Sequence, residues 1–270
     1  MKIAFIGGGN MATALIAGLA EQANGEHCFH VVDPNADALA SLASRYGVAT
    51  APAIDGELAS VDVVVLAVKP QQMREVAAQL APHLGSQLVL SIAAGIRSAD
   101  LSRWMNGYGA IVRAMPNTPA LIKQGITGMV ALPGVTEAQR AAADGVLRAV
   151  GQTVWLEDEA LIDPVTAVSG SGPAYVFYFL EAMQAAAVEM GLGEEQGKQL
   201  ALATFAGATQ LAAQSGESLE VLRQRVTSKG GTTHAAISSM EGAGVKGAIV
   251  AAMKAAAARG RELGDELGAD

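Results

Sequence analysis

Short apolar runs alternate with helix-like patterns over the first 160 residues. The run Val61–Val68 is apolar apart from Asp62, which is typical of a parallel strand that is covered on both faces. The predicted strands are Lys2–Ile6, Phe29–Val32, Val61–Val68, Leu88–Ile92, Ala110–Ala114, Thr127–Leu132 and Thr153–Leu156, and the predicted helices are Asn10–Ala23, Asp37–Tyr46, Gln72–Leu80 and Glu137–Val150. Strands separated by helices predict βαβ units, an α/β fold and a mostly parallel sheet.

The strand pattern stops after Leu156, and helices are predicted for the rest of the chain. Pro173 and Gly191 frame a long helix that ends at Met190, as these residue types do at helix ends. Further helices are predicted at Glu194–Gln214, Leu219–Val226, Thr233–Met240 and Val245–Leu267. This change of pattern predicts two domains, residues 1–160 and residues 161–270. The Ala-rich helices of the second domain leave little polar surface, so we expect a subunit interface there.

Composition and charge narrow the class of protein. Hydrophobic residues make up 51% of the chain, yet no apolar run approaches the roughly 18 residues of a membrane helix. The N-terminus lacks a signal-peptide pattern, and the single cysteine, Cys28, excludes an intramolecular disulfide and a Cys-based zinc ribbon. We therefore expect a cytoplasmic protein with no membrane partner. The net charge of −8 is divided evenly, without the basic cluster that nucleic acid requires, so no nucleic-acid partner is expected.

A glycine-rich stretch follows the first predicted strand and opens the first predicted helix. It consists of Gly7, Gly8, Gly9, Asn10, Met11 and Ala12, and it fits the pattern G-x-G-x-x-A. In dinucleotide-binding turns the first glycine permits the tight turn and the second lets the backbone approach a pyrophosphate. The helix N-terminus then favours the negative charge. A tight turn without a ligand is the alternative, but the strand–turn–helix context favours a cofactor site.

Asp33 closes the second predicted strand, 21 residues after Ala12. An acid at this position binds the adenosine ribose 2′-hydroxyl of NAD and repels the 2′-phosphate of NADP. The alternative is a turn or helix-cap residue in Asp33-Pro34-Asn35. We favour the cofactor role because no arginine follows immediately to receive a phosphate.

Three further strands end in residues that suit the same ligand, since open α/β sheets bind ligands beyond the carboxyl ends of their strands. These residues are Ala67, Val68, Lys69 and Pro70 after the third strand, Ala93 and Ala94 in Ser91–Gly95 after the fourth, and Asn117 after the fifth. Lys69 is either a phosphate or ribose ligand or a solvated loop lysine. The small alanines allow a nicotinamide to lie close, and Asn117 either binds its carboxamide or fixes the loop.

Two clusters of Gly, Ser and Thr precede helices in the second half, Ser169–Tyr175 and Thr227–Thr233. Neither matches the G-x-S-x-G elbow of hydrolases or the Walker A spacing. Free backbone N–H groups of Gly231, Thr232 and Thr233 are predicted to point at an anion. A plain helix cap is the alternative for each cluster.

The histidines do not suggest a metal site. His27, Cys28 and His30 are close in sequence, but they lie on or enter a strand, where neighbouring side chains face opposite ways. His83 and His234 are isolated. We therefore predict no bound metal.

Taken in order, these motifs resemble the family of bacterial pyrroline-5-carboxylate reductases over essentially the whole chain. The stretches that carry the resemblance are Phe5–Ala12, Ala67–Pro70, Ser91–Gly95, Arg113–Ala120, Val168–Tyr175 and Val226–Thr233. The resemblance implies a Rossmann domain followed by an all-α domain that dimerises, with dimers often assembled into a pentameric ring. It also implies hydride transfer from NADPH or NADH to the C=N carbon of 1-pyrroline-5-carboxylate, which gives L-proline.

The resemblance further assigns roles to individual residues. Gly7 to Met11 would hold the pyrophosphate, Asp33 and Asn35 the adenosine ribose or its phosphate, and Val68, Lys69 and Ala94 the rest of the cofactor. Asn117 would lie near the nicotinamide. Thr232 and Thr233 would bind the substrate, with Thr233 hydrogen-bonded to the ring nitrogen, and Ser171 and Tyr175 would shape the pocket.

The sequence departs from the family pattern at two places. Lys229 stands where the family usually has proline, and the loop Pro52–Asp55 lacks an asparagine often found near the adenosine. With Asp33, these departures leave the choice between NADH and NADPH open. Two other functions are considered: a related imine or hydroxyacid reductase, and a non-catalytic cofactor-sensing protein on the same fold. The helix Pro173–Met190 contains no lysine, which argues against the hydroxyacid class.

Overall fold

A computed structural model describes residues 1–22 and 27–269, and over these residues the chain forms one eight-stranded sheet. The strands are β1 (Lys2–Ile6), β2 (Cys28–Val32), β3 (Ala49–Ala51), β4 (Val63–Leu66), β5 (Leu88–Ser91), β6 (Ile111–Met115), β7 (Gly125–Ala131) and β8 (Gly151–Trp155). Their order across the sheet is β3-β2-β1-β4-β5-β6-β7-β8. All neighbours are parallel except β6 and β7, so the prediction of a mostly parallel sheet is confirmed.

Helices cover both faces of the sheet. They are α1 (Asn10–Gln22), α2 (Ala36–Tyr46), α3 (Met73–Leu80), α4 (Ser98–Trp104), α5 (Glu137–Arg148) and the single turn α6 (Ile162–Val165). Alternate residues of β1 enter two separate cores: Ile3 and Phe5 pack with α1, whereas Ala4 and Ile6 pack with residues of α3. The central strands are therefore buried on both sides, as their continuous apolar sequence predicts.

The helices of the second half are α7 (Gly172–Glu189), α8 (Glu194–Gln214), α9 (Leu219–Arg225), α10 (Thr232–Gly242) and α11 (Val245–Gly268). The chain folds into two compact units. The first unit is Met1–Ser171 together with the chain from Ala255 onward, and the second is Gly172–Lys254. The domain bounds drawn from the sequence pattern, 1–160 and 161–270, stay a prediction.

The second unit has almost no core of its own. Its buried residues are Ala187, Gly197 and Ala201, at the packing of α7 against α8. Large apolar side chains of the same unit are exposed: Val176, Phe177, Tyr178, Phe179, Met183, Val188, Met190, Leu192, Leu200, Leu202, Leu211, Leu219, Val221, Val226, Met240 and Val250. An exposed apolar surface of this extent marks an interaction surface.

Most predicted elements agree with the structure to within two residues. Residue 23, the predicted end of the first helix, lies outside the described residues. The prediction for Val61–Val68 is too long, because the strand is limited to Val63–Leu66. The strand β3 and the helix α4 were not predicted. Within the described residues, no helix combines the length and the apolar character needed to cross a membrane.

Candidate functional site

The loop after β1 is fixed tightly against the neighbouring strands. The N–H of Gly7 donates to the carbonyl of Val32 at 2.8 Å. Gly7 has φ +103°, and a Cβ built on it would lie 2.6 Å from the carbonyl oxygen of Ala67. Only glycine combines this backbone conformation with this close approach, so Gly7 makes the tight turn that the motif predicts.

Gly9 differs from Gly7, because the protein itself does not require a glycine there. Gly9 is exposed, and a Cβ on it would meet no atom within 4 Å. Its carbonyl accepts the first helical hydrogen bond of α1, from the N–H of Thr13 at 2.9 Å. The amides of Asn10, Met11 and Ala12 precede that bond and have no partner in the helix ladder. Open space therefore lies in front of a helix N-terminus, which suits a bound anion.

The carboxylate of Asp33 is held by two backbone amides. Its Oδ2 accepts from the N–H of Gly8 at 2.7 Å, and its Oδ1 accepts from the N–H of Asn35 at 2.8 Å. Each oxygen keeps a free lone-pair direction, so the carboxylate can also accept from a ribose hydroxyl. Asp33 thus joins the glycine loop to the end of β2 in a fixed orientation.

Asn35, and not Asp33, caps the following helix. The Oδ1 of Asn35 accepts from the N–H groups of Asp37 at 3.0 Å and Ala38 at 3.2 Å, at the start of α2. Its side-chain NH₂ remains available as a donor. The helix-cap alternative considered for the Asp33 turn therefore applies to Asn35.

A groove of about 570 Å³ brings many of the predicted cofactor residues together. Its lining includes Gly7, Gly9, Asp33, Asn35, Ala67, Val68 and Lys69. It also includes residues that were not predicted as ligands: Pro52, Ala53, Ile54, Gln72, Glu75, Val76 and Gln79. The first three follow β3, whose three residues are too few to show an alternating pattern. The charged side chains in this lining are Asp33, Lys69 and Glu75.

Other predicted cofactor residues lie outside this groove. Gly8 is buried behind the loop, and Asn10 lines a separate depression of about 240 Å³ with Thr13 and Tyr46. Met11 is half-buried against the core. Pro70 begins the turn that leads into α3. After β5, Ala93 is buried and Ala94 is exposed. Direct contact of these residues with a cofactor stays a prediction.

Asn117 fixes its own loop, which is one of the two roles considered for it. It is 9% exposed, and its Oδ1 accepts from the N–H of Ile126 at 3.0 Å. Its Nδ2 donates to the carbonyl of Ser169 at 3.3 Å. Asn117 therefore joins the end of β6 to the start of β7 and to the π-helical turn Thr166–Gly170. A contact with the nicotinamide stays a prediction.

The predicted substrate residues lie in two places. Ser171 is half-buried at the end of the first unit, and its N–H donates to the carbonyl of Thr166 at 2.8 Å. Gly231, Thr232 and Thr233 lie in the second unit, at the start of α10. Both threonines are exposed.

The expectation of a free Gly231 amide is wrong. This N–H donates to the carbonyl of Ser228 at 3.0 Å and closes the turn before α10. Gly231 is the N-cap, and the first helical bond runs from Ala235 to its carbonyl. The amides without a partner in the helix ladder are therefore those of Thr232, Thr233 and His234, one residue further along. A role of Gly231 in substrate binding stays a prediction.

Comparisons with known proteins identify the family. Residues 159–263 match the family model described as pyrroline-5-carboxylate reductase dimerisation, and residues 2–95 match one described as NADP oxidoreductase coenzyme F420-dependent. A pyrroline-5-carboxylate reductase from Pseudomonas aeruginosa is 46% identical over 268 residues, which covers 99% of this chain and 98% of that protein. The chain belongs to the pyrroline-5-carboxylate reductase family.

Solved structures of the family agree with this assignment. The structure of a pyrroline-5-carboxylate reductase from Coxiella burnetii superposes with a TM-score of 0.90 at 39% identity, covering 97% of both chains. That of a Plasmodium falciparum pyrroline carboxylate reductase with NADP bound has a TM-score of 0.84 at 28% identity, covering 98% of both. The predicted resemblance, the Rossmann domain with a helical dimerisation domain, and the activity as an NAD(P)-dependent oxidoreductase of this family are confirmed. The match to a dimerisation domain also supports a homo-oligomer.

Proposed function

We propose that this protein reduces 1-pyrroline-5-carboxylate to L-proline by hydride transfer from NADH or NADPH. The observation that carries the proposal is the intact cofactor groove in a chain that matches a member of this reductase family over 99% of its length. The reduced nicotinamide, when bound, supplies the hydride. The residues of the chain bind and orient both reactants.

The first unit fits a dinucleotide on structural grounds. The open space at Gly9, the unpaired amides at the start of α1 and the fixed carboxylate of Asp33 match a pyrophosphate and an adjacent ribose. Lys69 is exposed at the rim of the same groove and adds a positive charge. We propose that the remaining predicted cofactor residues extend this site along the carboxyl ends of the strands.

The start of α10 is proposed to bind the carboxylate of the substrate. The amides of Thr232 and Thr233 are free of the helix ladder, and both side chains are exposed. The hydroxyl of Thr233 is proposed to hydrogen-bond the ring nitrogen, whose basicity rises as the hydride arrives. A protonated imine is already a good electrophile, so this chemistry needs positioning more than a strong acid. Ser171 and Tyr175 are proposed as further residues that contact the substrate.

The direct test measures oxidation of NADH and of NADPH in parallel, with 1-pyrroline-5-carboxylate as substrate. Turnover with either cofactor, with proline as the product, is the expected result. Folded protein that binds the cofactor but shows no turnover would overturn the proposal and favour a cofactor-sensing role.

Asp33 is expected to oppose NADPH. A 2′-phosphate placed against this carboxylate meets a like charge that two backbone amides hold in place. Changing Asp33→Ser is expected to raise the ratio of kcat/KM for NADPH to that for NADH by about 10-fold, since removing one close charge repulsion is worth roughly one decade. Steady-state kinetics with both cofactors measures this ratio. Glu75→Gln, which removes another carboxylate from the groove lining, serves as the control, and an equal shift there would contradict the specific role of Asp33.

We propose that the homo-oligomer is a dimer built on the exposed apolar face of α7 and α8, and that dimers assemble further into a ring of ten chains. Phe177 is 59% exposed and Tyr178 is 72% exposed on α7.

Changing Phe177→Glu is expected to lower the molar mass in solution, because a charge in an apolar interface is left without a partner. Light scattering after size exclusion measures this mass, and Lys198→Gln on the same unit is the control. A variant with the mass of the wild type would contradict the proposed interface.

The composition supports the remaining parts of the proposal. The sequence has one cysteine, which favours a cytoplasmic location. Its net charge is acidic and it has no basic cluster, which favours an enzyme that acts on small molecules and does not bind nucleic acid.

A further inference from the structure

A partly buried ion pair is formed by an arginine in the middle of β6. The side chain of Arg113, on β6, is 6% exposed, and its Nη1 donates to Oε1 of Glu159 at 2.8 Å. The same oxygen accepts from the backbone N–H of Ser98 at 2.7 Å. Ser98 is the first residue of α4. One carboxylate oxygen therefore accepts both from a buried guanidinium and from the first backbone N–H of a helix.

The segment that this carboxylate holds is the loop Ile92–Arg97, which joins β5 to α4. Ile96 is fully buried in the core. Gly95 has φ +73°, and a Cβ on it would lie 3.0 Å from a methyl group of Leu267. Arg97 pairs with Asp265 at 2.7 Å. All of these contacts lie within the first unit, and together they leave the loop little freedom.

The loop lies on the other side of the groove from Asp33. The groove is lined by residues at the carboxyl ends of β2, β1 and β4, and β5 is the next parallel strand after β4. In sheets of this topology a dinucleotide crosses the switch point between the first and fourth strands. With the adenosine half beside Asp33, the nicotinamide half lies over the ends of β4 and β5. The loop Ile92–Arg97 then borders the nicotinamide.

We propose that Glu159, fixed by Arg113, is a positioning residue for the nicotinamide half of the cofactor site. It acts through the Ser98 amide by setting the position of the loop Ile92–Arg97. This inference rests on the proposed function. Neither Arg113 nor Glu159 touches a reactant in this proposal. The pair affects cofactor binding by fixing the position of the backbone.

A matched pair of substitutions at Ser98 isolates the hydrogen bond. Ser98→Pro removes the N–H donor, and proline is well tolerated at the first position of a helix. The preceding residue, Arg97, already has φ −81° and ψ 150°, which a following proline allows. Ser98→Ala keeps the N–H and removes only the hydroxyl, which has no hydrogen-bond partner among the residues that the structure describes. Both variants leave Arg113 and Glu159 in place.

The readout compares two ligands by titration of the full-length oligomer. The reduced cofactor that the wild type oxidises spans both halves of the site, whereas ADP-ribose, or its 2′-phosphate for an NADPH enzyme, lacks the nicotinamide. Relative to Ser98→Ala, Ser98→Pro is expected to weaken binding of the reduced cofactor by roughly 5- to 20-fold. This is less than the full loss of one charge-assisted hydrogen bond, because the bond acts on the cofactor only through the loop. The affinity for the ADP-ribose probe is expected to stay within about twofold, since its binding groups are elsewhere.

A second comparison keeps the inference testable if the Ser98→Pro variant does not fold. Glu159→Gln keeps an acceptor for the Ser98 amide, so it is expected to bind the reduced cofactor more tightly than Glu159→Ala does. Equal binding of the reduced cofactor by Ser98→Pro and Ser98→Ala would overturn the inference, as would a parallel loss of both ligands. A wild-type protein that does not turn over 1-pyrroline-5-carboxylate would instead refute the proposed function.

Discussion

Replacing Gly9 with aspartate is expected to weaken NAD(P)H binding by about 100-fold or more, because a negative charge would then stand in the path of the pyrophosphate. The same change is expected to leave the free protein as stable as the wild type. A Cβ at Gly9 meets no protein atom within 4 Å. Gly9 also lies at the N-cap position of α1, where aspartate is among the most favourable residues. Equilibrium titration with the reduced cofactor gives the affinity, and the thermal midpoint Tm gives the stability.

Gly9→Asn separates the effect of charge from that of size. Asparagine has nearly the same shape as aspartate and caps a helix equally well, but it is neutral. A smaller loss of affinity, about 10-fold, is expected for Gly9→Asn, since only the bulk of the side chain then opposes the ligand. If Gly9→Asp bound the cofactor within about threefold of the wild type, the pyrophosphate would not lie at this helix N-terminus.

Replacing Thr233 with alanine is expected to lower kcat/KM for 1-pyrroline-5-carboxylate by roughly 10- to 100-fold, which corresponds to about 1.4–3 kcal/mol of transition-state stabilisation. The physical reason is the loss of a hydroxyl that we place on the ring nitrogen. Thr233 is exposed in the second position of α10, so the change removes no packing in the subunit. Steady-state kinetics at saturating cofactor gives the ratio.

Thr233→Ser keeps the hydroxyl and is expected to recover most of the activity. The affinity for NAD(P)H is expected to be the same in both variants, since the predicted cofactor ligands lie in the first unit. Unchanged kcat/KM in Thr233→Ala would remove this side chain from the mechanism, while the helix amides would remain candidates for carboxylate binding.

The part of the site that the sequence predicts best is the part made by backbone geometry. Gly7 must be glycine because of a backbone contact with Ala67, and Asp33 directly follows β2, which ends in the buried residues Val31 and Val32. Such features require particular residue types at fixed spacing within one stretch of chain, so they can be recognised in the sequence. The spacing therefore predicts the fold of the first βαβ unit, together with the glycine loop and Asp33 in its candidate cofactor site.

The missed features depend on contacts between distant parts of the chain. The pair of Arg113 and Glu159 joins residues 46 positions apart, and nothing in either local sequence marks a partner. The residues Pro52–Ile54 line the groove because they follow β3, a strand of three residues at the edge of the sheet. The Gly231 amide shows a different limit: the turn Ser228–Gly231 uses this N–H, and the free amides therefore begin one residue later than the sequence predicts.

The apolar pattern of β7 also does not predict that this strand runs antiparallel to β6. A short loop between Met115 and Gly125 returns the chain beside β6, so the two strands run antiparallel. An apolar run shows that a strand is buried and carries no sign of its direction. Loop length is the available signal, since a parallel crossover requires about a dozen residues or more.

The helix α11 ends in the first unit, where Leu267 packs near Gly95 and Asp265 pairs with Arg97. The first unit is therefore discontinuous, and its last segment is synthesised only after the whole of the second unit. A growing chain that has released residues 1–171 from the ribosome still lacks the segment that supports the loop after β5. The loop after β5 therefore gains this support only after the second unit has been synthesised.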